Sequence, residues 1–260
     1  MTLNKSHPIP LYYQLVEQIR EQIQAGELIP GDQLASERRL GEQAGISRMT
    51  VRQAVSYLVQ DGTLVVKPGV GTFIAAPKLT HDPLHLLGFT EETLAQGGQV
   101  TSKVLIQGVV TPSTSITTAL SLSTNDLCLK LVRLRFANEM PLLLETIYLP
   151  VALCPGLETV DLETGSLYAY LSQRYNLQLA QTRQTLEATV ANQYESECFG
   201  IEPGMPMILA EGVTYQQNQQ PIEYFKAVYR GDRFKFELAS HPEVDNTSSS
   251  TPRVSVLLET

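Results

Sequence analysis

LASERRLGEQAGISRMTVRQAVSYLVQDGTLVVKPGVGTFI, residues 34–74, decides the fold of the N-terminal part of this chain. Ser36 is a good helix N-cap, followed by Glu37, Arg38 and Arg39 in the first turn. Leu34, Leu40 and Ala44 form an apolar stripe. Gly45 stops the helix in a left-handed conformation, and Ile46 is the turn residue turned inward. Ser47 caps a second helix, in which Val51, Val55, Leu58 and Val59 recur inward at helical spacing. The opposite face offers Arg48, Thr50 and Arg52. Asp61-Gly62 ends the helix. Leu64–Val66 and Gly71–Ile74 then alternate as two strands around Lys67-Pro68-Gly69, a winged helix-turn-helix pattern. A short helix with a hydroxyl cap and two arginines near its N-terminus suits the major groove of DNA. Its dipole favours phosphate, and arginine can bind guanine through two hydrogen bonds. Periodicity alone also fits a helical module with a hairpin that serves in protein contacts.

Upstream, residues 10–25 read as a helix whose Tyr12, Leu15, Ile19 and Ile23 pack beneath this unit. Residues 1–76 form this first domain. Residues 77–85, with two prolines and two histidines, read as a linker, and 86–241 as a second domain. Residues 242–260 are a Ser/Thr-rich tail expected to be disordered. The second domain carries strands at Lys103–Val110, Leu127–Phe136, Leu142–Leu149, Thr185–Val190, Met207–Gln216, Ile222–Tyr229 and Phe234–Leu238. Helices are expected at 90–97, 114–121, 166–175 and 192–199. Short, hairpin-like connections make the sheet mainly antiparallel, an α+β architecture.

Taken alone, the formal charge of −8 argues against nucleic acid as a partner. Its distribution removes the objection. Residues 1–77 hold seven basic and seven acidic side chains, so the remainder, with 12 and 20, carries the whole excess. A neutral module binds DNA if its cations cluster on one face. No apolar run is long enough for a membrane helix, and the N-terminus lacks a signal-peptide core. Three widely spaced cysteines, Cys128, Cys154 and Cys198, suit reduced thiols in the cytoplasm. Pro83 between His81 and His85 argues against a helical metal pair. No nucleophile–base pair and no dinucleotide loop is found, so neither an enzyme nor a cofactor is expected.

Pro10-Leu11-Tyr12, Gly26, Pro30-Gly31, Ser36-Glu37-Arg38, Ser47-Arg48, Thr50-Val51-Arg52, Asp61-Gly62 and Gly69-Val70-Gly71-Thr72-Phe73 together resemble the GntR family of bacterial transcription regulators. Ala35 stands where the family usually has proline, and Arg39 where an acidic residue is common. The resemblance implies a DNA-facing set of Ser36, Arg38, Ser47, Arg48, Thr50, Arg52, Lys67 and Gly69.

In the second domain the strand Leu127–Phe136 puts Leu129, Leu131, Arg133 and Arg135 on one face. Either the strand leaves the core and the arginines snorkel, or they line an anion pocket. A three-residue hairpin loop at Asn138–Met140 would pair Ala137 with Pro141 and Arg133 with Glu145. Two arginines would then face one carboxylate. Glu223, Phe225, Ala227 and Tyr229 alternate on another strand, as either core residues or a sugar-binding face. Gly88–Glu92, Arg133–Ala137, Pro141-Leu142 with Glu145 and Tyr148–Pro150, Ser166–Tyr168, and Glu223-Tyr224 with Tyr229–Phe234 resemble the effector-binding (UTRA) domain of the HutC branch of that family, similar in fold to chorismate lyase. That resemblance implies that Thr90, Arg133, Arg135, Glu145, Ser166, Tyr168, Glu223 and Tyr229 surround a small anionic effector. In members that sense amino-sugar phosphates, arginines and hydroxyls hold the phosphate and glutamates the sugar. The expected protein is a cytoplasmic, homodimeric repressor released from a palindromic operator by a phosphorylated amino sugar. The alternatives are a sensor of another small acid and a DNA-binding protein without a ligand.

Overall fold

The computed structural model describes residues 3–81, 89–95 and 97–237. The expected tail at 242–260, and His85 with the rest of the linker from residue 82, lie outside them.

The N-terminal domain comprises α1 (Leu11–Gln24), α2 (Glu37–Ala44), α3 (Arg48–Gln60), β1 (Leu64–Lys67) and β2 (Gly71–Ile74). The caps are those the sequence predicts. Ser36 Oγ accepts from the Arg39 amide and Ser47 Oγ from the Thr50 amide, while Gly45 takes a left-handed φ of 64°. Leu15, Val16, Ile19, Leu40, Val51, Ala54 and Leu58 form a single core with Leu64 and Ile74 of the wing. Burying such side chains stabilises by roughly 1.5–3 kcal/mol each before ordering costs. β1 and β2 pair from Leu64↔Ile74 to Lys67↔Gly71, and Asp32–Leu34 hydrogen-bonds along β2 as a third rim of the wing.

After β3 (Leu79–His81), the second domain contains α4 (Phe89–Ala95), β4 (Val100–Val110), α5 (Thr114–Ala119), β5 (Cys128–Ala137), β6 (Met140–Pro150), α6 (Leu167–Tyr175), β7 (Gln181–Val190), α7 (Gln193–Phe199), β8 (Pro206–Tyr215), β9 (Pro221–Arg230) and β10 (Phe234–Phe236). Six strands form one antiparallel sheet in the order β4-β5-β6-β9-β8-β7. Alternation along β5 sends Leu129 and Leu131 to the layer containing α6, and Val132 and Leu134 to the layer containing α7.

Two expectations are corrected. The β5–β6 turn has two residues, not three: Asn138 and Glu139 both take positive φ, 48° and 67°, and Ala137 pairs with Met140. A register shift after Arg135 then restores Arg133↔Glu145, so the face assignment survives for a different reason. Within the stretch read as linker, Leu79–His81 is a strand that pairs in parallel with β10. Leu79 packs against the cluster containing Phe89, Tyr229 and Phe234, which gives this segment a reason to order.

Candidate DNA-reading face and effector pocket

The reading face is built on the α3 N-terminus. Ser47 and Thr50 hydroxyls lie 2.8 Å apart, so both belong to the cap, with Thr50 half-buried. Arg48 and Arg52 stand 76% and 68% exposed and share Glu37 of α2, at 3.0 and 4.0 Å. Arg38 is 84% exposed and only 3.8 Å from Glu42. These are weak surface pairs that an incoming phosphate or base can replace. Ser36 is exposed at its own cap. Lys67 lies over the Phe73 ring at 4.7 Å. Gly69 at the wing tip has φ of 73° and open space around it, so its backbone, not crowding inside the protein, calls for glycine. Sequence reasoning missed Met49, which stands 69% exposed beside Arg48. Its position off the inward set 51, 54, 55 and 58 is the signal that could have found it, and an apolar tip there suits a thymine methyl.

The candidate effector residues lie on β5, β6, β8 and β9 with α4 and α6. Arg133 and Arg135 are 1% and 3% exposed, which excludes snorkelling. Arg133 Nε and Arg135 Nη1 both donate to one oxygen of Glu145, at 2.7 and 3.0 Å. Arg133 Nη1 also donates to the Leu162 carbonyl. Arg135 Nη2 donates to Thr90 Oγ1 at 2.5 Å, with the guanidinium 5.1 Å from the Phe89 ring centroid. Burial pushes the Glu145 carboxyl up, but the two guanidiniums override it and hold it below the usual carboxylate range. Two cations against one carboxylate leave surplus positive charge in a low-dielectric site.

A second cluster faces it. Tyr168 Oη and Thr214 Oγ1 donate to Glu223 Oε2 at 2.9 and 2.8 Å. Glu223 is 1% exposed, and burial pushes its carboxyl up to about 7 against these two hydrogen bonds. Tyr229 lies within electrostatic reach of Glu145, Arg135 and Glu223, and packs on Phe234 at 4.8 Å. Ser166 is the exception: its hydroxyl accepts from the Ala169 amide as the α6 N-cap, and it joins the group through the helix that carries Tyr168.

Several buried polar atoms here have no hydrogen-bond partner among the described residues: Arg135 Nε, Glu223 Oε1 and Ser102 Oγ. Ser102 pairs with Arg135 across β4–β5 and so shares its face. Buried orphans are rare in native proteins, and a cluster of them at one site fits a polar ligand. Ser102 and Thr214 were not in the sequence-derived set.

Residues 11–74 match the family described as "Bacterial regulatory proteins, gntR family", and residues 95–235 match the "UTRA domain". The chain is 36% identical over 236 residues to the HTH-type transcriptional repressor NagR of Bacillus subtilis, covering 91% of this chain and 97% of that one. It is 29% identical over 229 residues to the mannosyl-D-glycerate transport/metabolism system repressor MngR of Escherichia coli, covering 88% and 95%. Among solved structures it resembles PhnF from Mycobacterium smegmatis with a TM-score of 0.63 and 28% identity, covering 89% and 99%.

Proposed function

Because this chain belongs to the gntR family of bacterial regulatory proteins and carries a UTRA domain, a DNA-binding transcription regulator and not an enzyme, we propose that it is a repressor relieved by a phosphorylated amino sugar. The observation that carries this reading is the paired Arg133 and Arg135 against a single Glu145 oxygen, opposite the half-satisfied Glu223. The arginines, with Thr90 and the Ser166 end of α6, provide the donors a phosphate needs. Glu223 Oε1 provides a buried acceptor for an ammonium or hydroxyl of the sugar. The relative named for the mannosyl-D-glycerate system supports a sugar derivative as ligand class. Palindromic DNA and a homodimer follow from area: one winged module contacts only about 600–1,000 Å² of DNA, and a two-fold pair doubles it. The described residues include no helix long and apolar enough to cross a membrane, in keeping with a regulator acting in the cytoplasm.

Ligand must favour the arrangement that does not bind DNA, and a coupling of ~1–3 kcal/mol weakens operator binding roughly 5- to 150-fold. The test is calorimetric titration with glucosamine 6-phosphate, glucosamine and glucose 6-phosphate, paired with operator release. Arg133→Ala, and the milder Thr90→Val, should keep operator binding and lose the response. A folded Arg133→Ala protein that still releases DNA at the wild-type ligand concentration would place the effector elsewhere.

A further inference from the structure

Neither site uses the Asp61-Gly62 end of α3 or the Gly231-Asp232-Arg233 turn between β9 and β10, and these two motifs meet. Gly62 is buried with φ of 83°. A Cβ placed on it would stand on the Asp232 carbonyl oxygen, 2.6 Å from the carbonyl carbon and 2.9 Å from Cα. Backbone faces backbone there, so no change of rotamer makes room. Lys78 clasps the contact: its Nζ donates to the Gly231 carbonyl at 2.8 Å, and its charge also acts on Asp61. Asp61 in turn holds Arg20 at 2.9 Å and accepts from Thr63 at 2.6 Å.

The turn on the other side is stiff. The Asp232 carboxylate takes two hydrogen bonds from Arg230, at 3.0 and 2.6 Å, and lies 3.4 Å from Arg233. The Gly231 amide donates to the Pro206 carbonyl and the Arg233 carbonyl accepts from Leu79. The strand that follows begins with Phe234, whose ring centroid lies 4.8 Å from that of Tyr229 and 6.2 Å from that of Phe89, all three in one apolar cluster. Phe89 lies against the Arg135 guanidinium. An unbroken run of contacts therefore joins the anion pocket to the tail of the recognition helix.

We propose that the Gly231–Arg233 turn is the surface on which the effector domain carries its DNA-binding domain. The partner it fits is the C-terminal end of α3, through Gly62. The dock lies roughly 20 Å from the reading end, since α3 is 13 residues long at about 1.5 Å each. Arg48 and Arg52 stay exposed, so the dock aims the recognition helix and does not cover it. What moves the dock rests on the effector reading above; the dock itself does not.

Hydrogen–deuterium exchange on the full chain tests the contact without ligand. Gly62→Asn keeps a residue that tolerates left-handed backbone, so the helix end survives, but its Cβ meets Asp232. Lys78→Ala removes the clasp and leaves both turns' backbones intact. Gly62→Asn should speed exchange in peptides covering 229–235, in the other domain, about tenfold or more. Lys78→Ala should speed exchange both around 60–64 and in 229–235, and β6 should stay unchanged in both variants. A role of Gly62 only as helix end would leave 229–235 untouched, and that result in both variants overturns the dock. If Gly62→Asn unfolds the first domain, Lys78→Ala decides alone. With glucosamine 6-phosphate as probe, Gly62→Asn should still bind the sugar phosphate but lose most of the ligand-dependent change in operator affinity. Wild-type-like release in a variant whose 229–235 exchange has risen shows that the dock transmits nothing and overturns the proposal. Failure of the probe to bind the wild-type protein instead removes the effector assignment and leaves the exchange result to judge the dock.

Discussion

Arg48 and Arg133 are both arginines beside a glutamate, one in each domain of the same regulator. Arg48 is 76% exposed and touches Glu37 through one hydrogen bond. Arg133 has a side chain only 2% exposed, and Glu145 is shared with a second buried guanidinium. Arg48 reaches into water from Glu37, whose side chain is 28% exposed, so exchanging this one partner for another anion or acceptor costs the arginine little. The Arg133 pair has already lost its hydration and cannot be separated without leaving a bare charge inside the protein. The exposed arginines of α3 are therefore adaptable, while the buried arginines of β5 are held in place by Glu145. A ligand that neutralises the surplus charge in the pocket finds its donors preorganised, at little further ordering cost.

The strongest way to break this contrast is to remove the shared carboxylate. Glu145→Ala leaves Arg133 and Arg135 buried without their anion and should destabilise the effector domain by about 3–5 kcal/mol in urea unfolding. Inorganic phosphate at millimolar concentration should recover part of that loss, because it replaces the missing charge. The corresponding Glu37→Ala change, at a half-buried acid in the first turn of α2, should cost no more than about 1 kcal/mol. Comparable losses at the two glutamates would remove the distinction between a fixed and an adaptable site.

Arg48→Ala and Arg52→Ala sharpen the other half. Each should cost about 1–3 kcal/mol of operator affinity if it reads a base, and relax the preference at one position of the site. Neither should shift the unfolding midpoint, since only exposed ion pairs are lost. Operator titrations that leave both single variants at wild-type affinity would take α3 out of the recognition role.

Much of the N-terminal domain is legible because its signals are local: Ser36, Gly45 and Ser47 act within a few residues of themselves, whereas the close approach of Gly62 to Asp232 is not visible in the sequence. The pocket was legible only in part. Arg133, Arg135 and Glu145 lie on adjacent strands of one hairpin, so alternation finds their common face even though the turn was assigned a residue too many. Thr214 and Ser102 escaped because their neighbours are set by sheet order and register. Thr214 meets Glu223 only once β8 lies beside β9, and Ser102 meets Arg135 only past the register shift between Val104 and Ile106. β3 escaped because a three-residue strand between prolines carries no periodicity of its own.

Glu223 gives a smaller, pH-dependent effect. Its carboxyl titrates at about 7 in the folded chain against 4.5 for the ordinary group. The folded state therefore binds the extra proton between those values. The stability this contributes is fully present below about 4.5 and is lost as pH rises through 7. An ammonium-bearing ligand needs the ionised form, so its binding should run the opposite way. Glucosamine 6-phosphate should bind roughly tenfold tighter at pH 7 than at pH 5.5, a window in which its own ammonium stays mostly protonated, after division by the same ratio for glucose 6-phosphate, which cancels the phosphate's own titration. Glu223→Gln should flatten the difference. Equal pH profiles for the two sugars in the wild-type protein would mean that Glu223 does not face the amine.

Arg38 should give the smallest effect and the cleanest separation of roles on the DNA side. At 84% exposure, with Glu42 3.8 Å away, it contributes almost nothing to stability. It sits in the first turn of α2, outside the N-terminal turn of α3 that carries Arg48 and Arg52. A phosphate contact is blind to sequence and releases a counterion, whereas a base contact discriminates. Arg38→Ala should therefore weaken specific and non-specific DNA by the same factor. It should also reduce the slope of log affinity against log salt by about 1. Arg48→Ala and Arg52→Ala, in contrast, should narrow the gap between operator and random DNA. Measured over a salt series with both DNAs, a loss of discrimination in Arg38→Ala would move it into the base-reading set and extend that set from α3 onto α2.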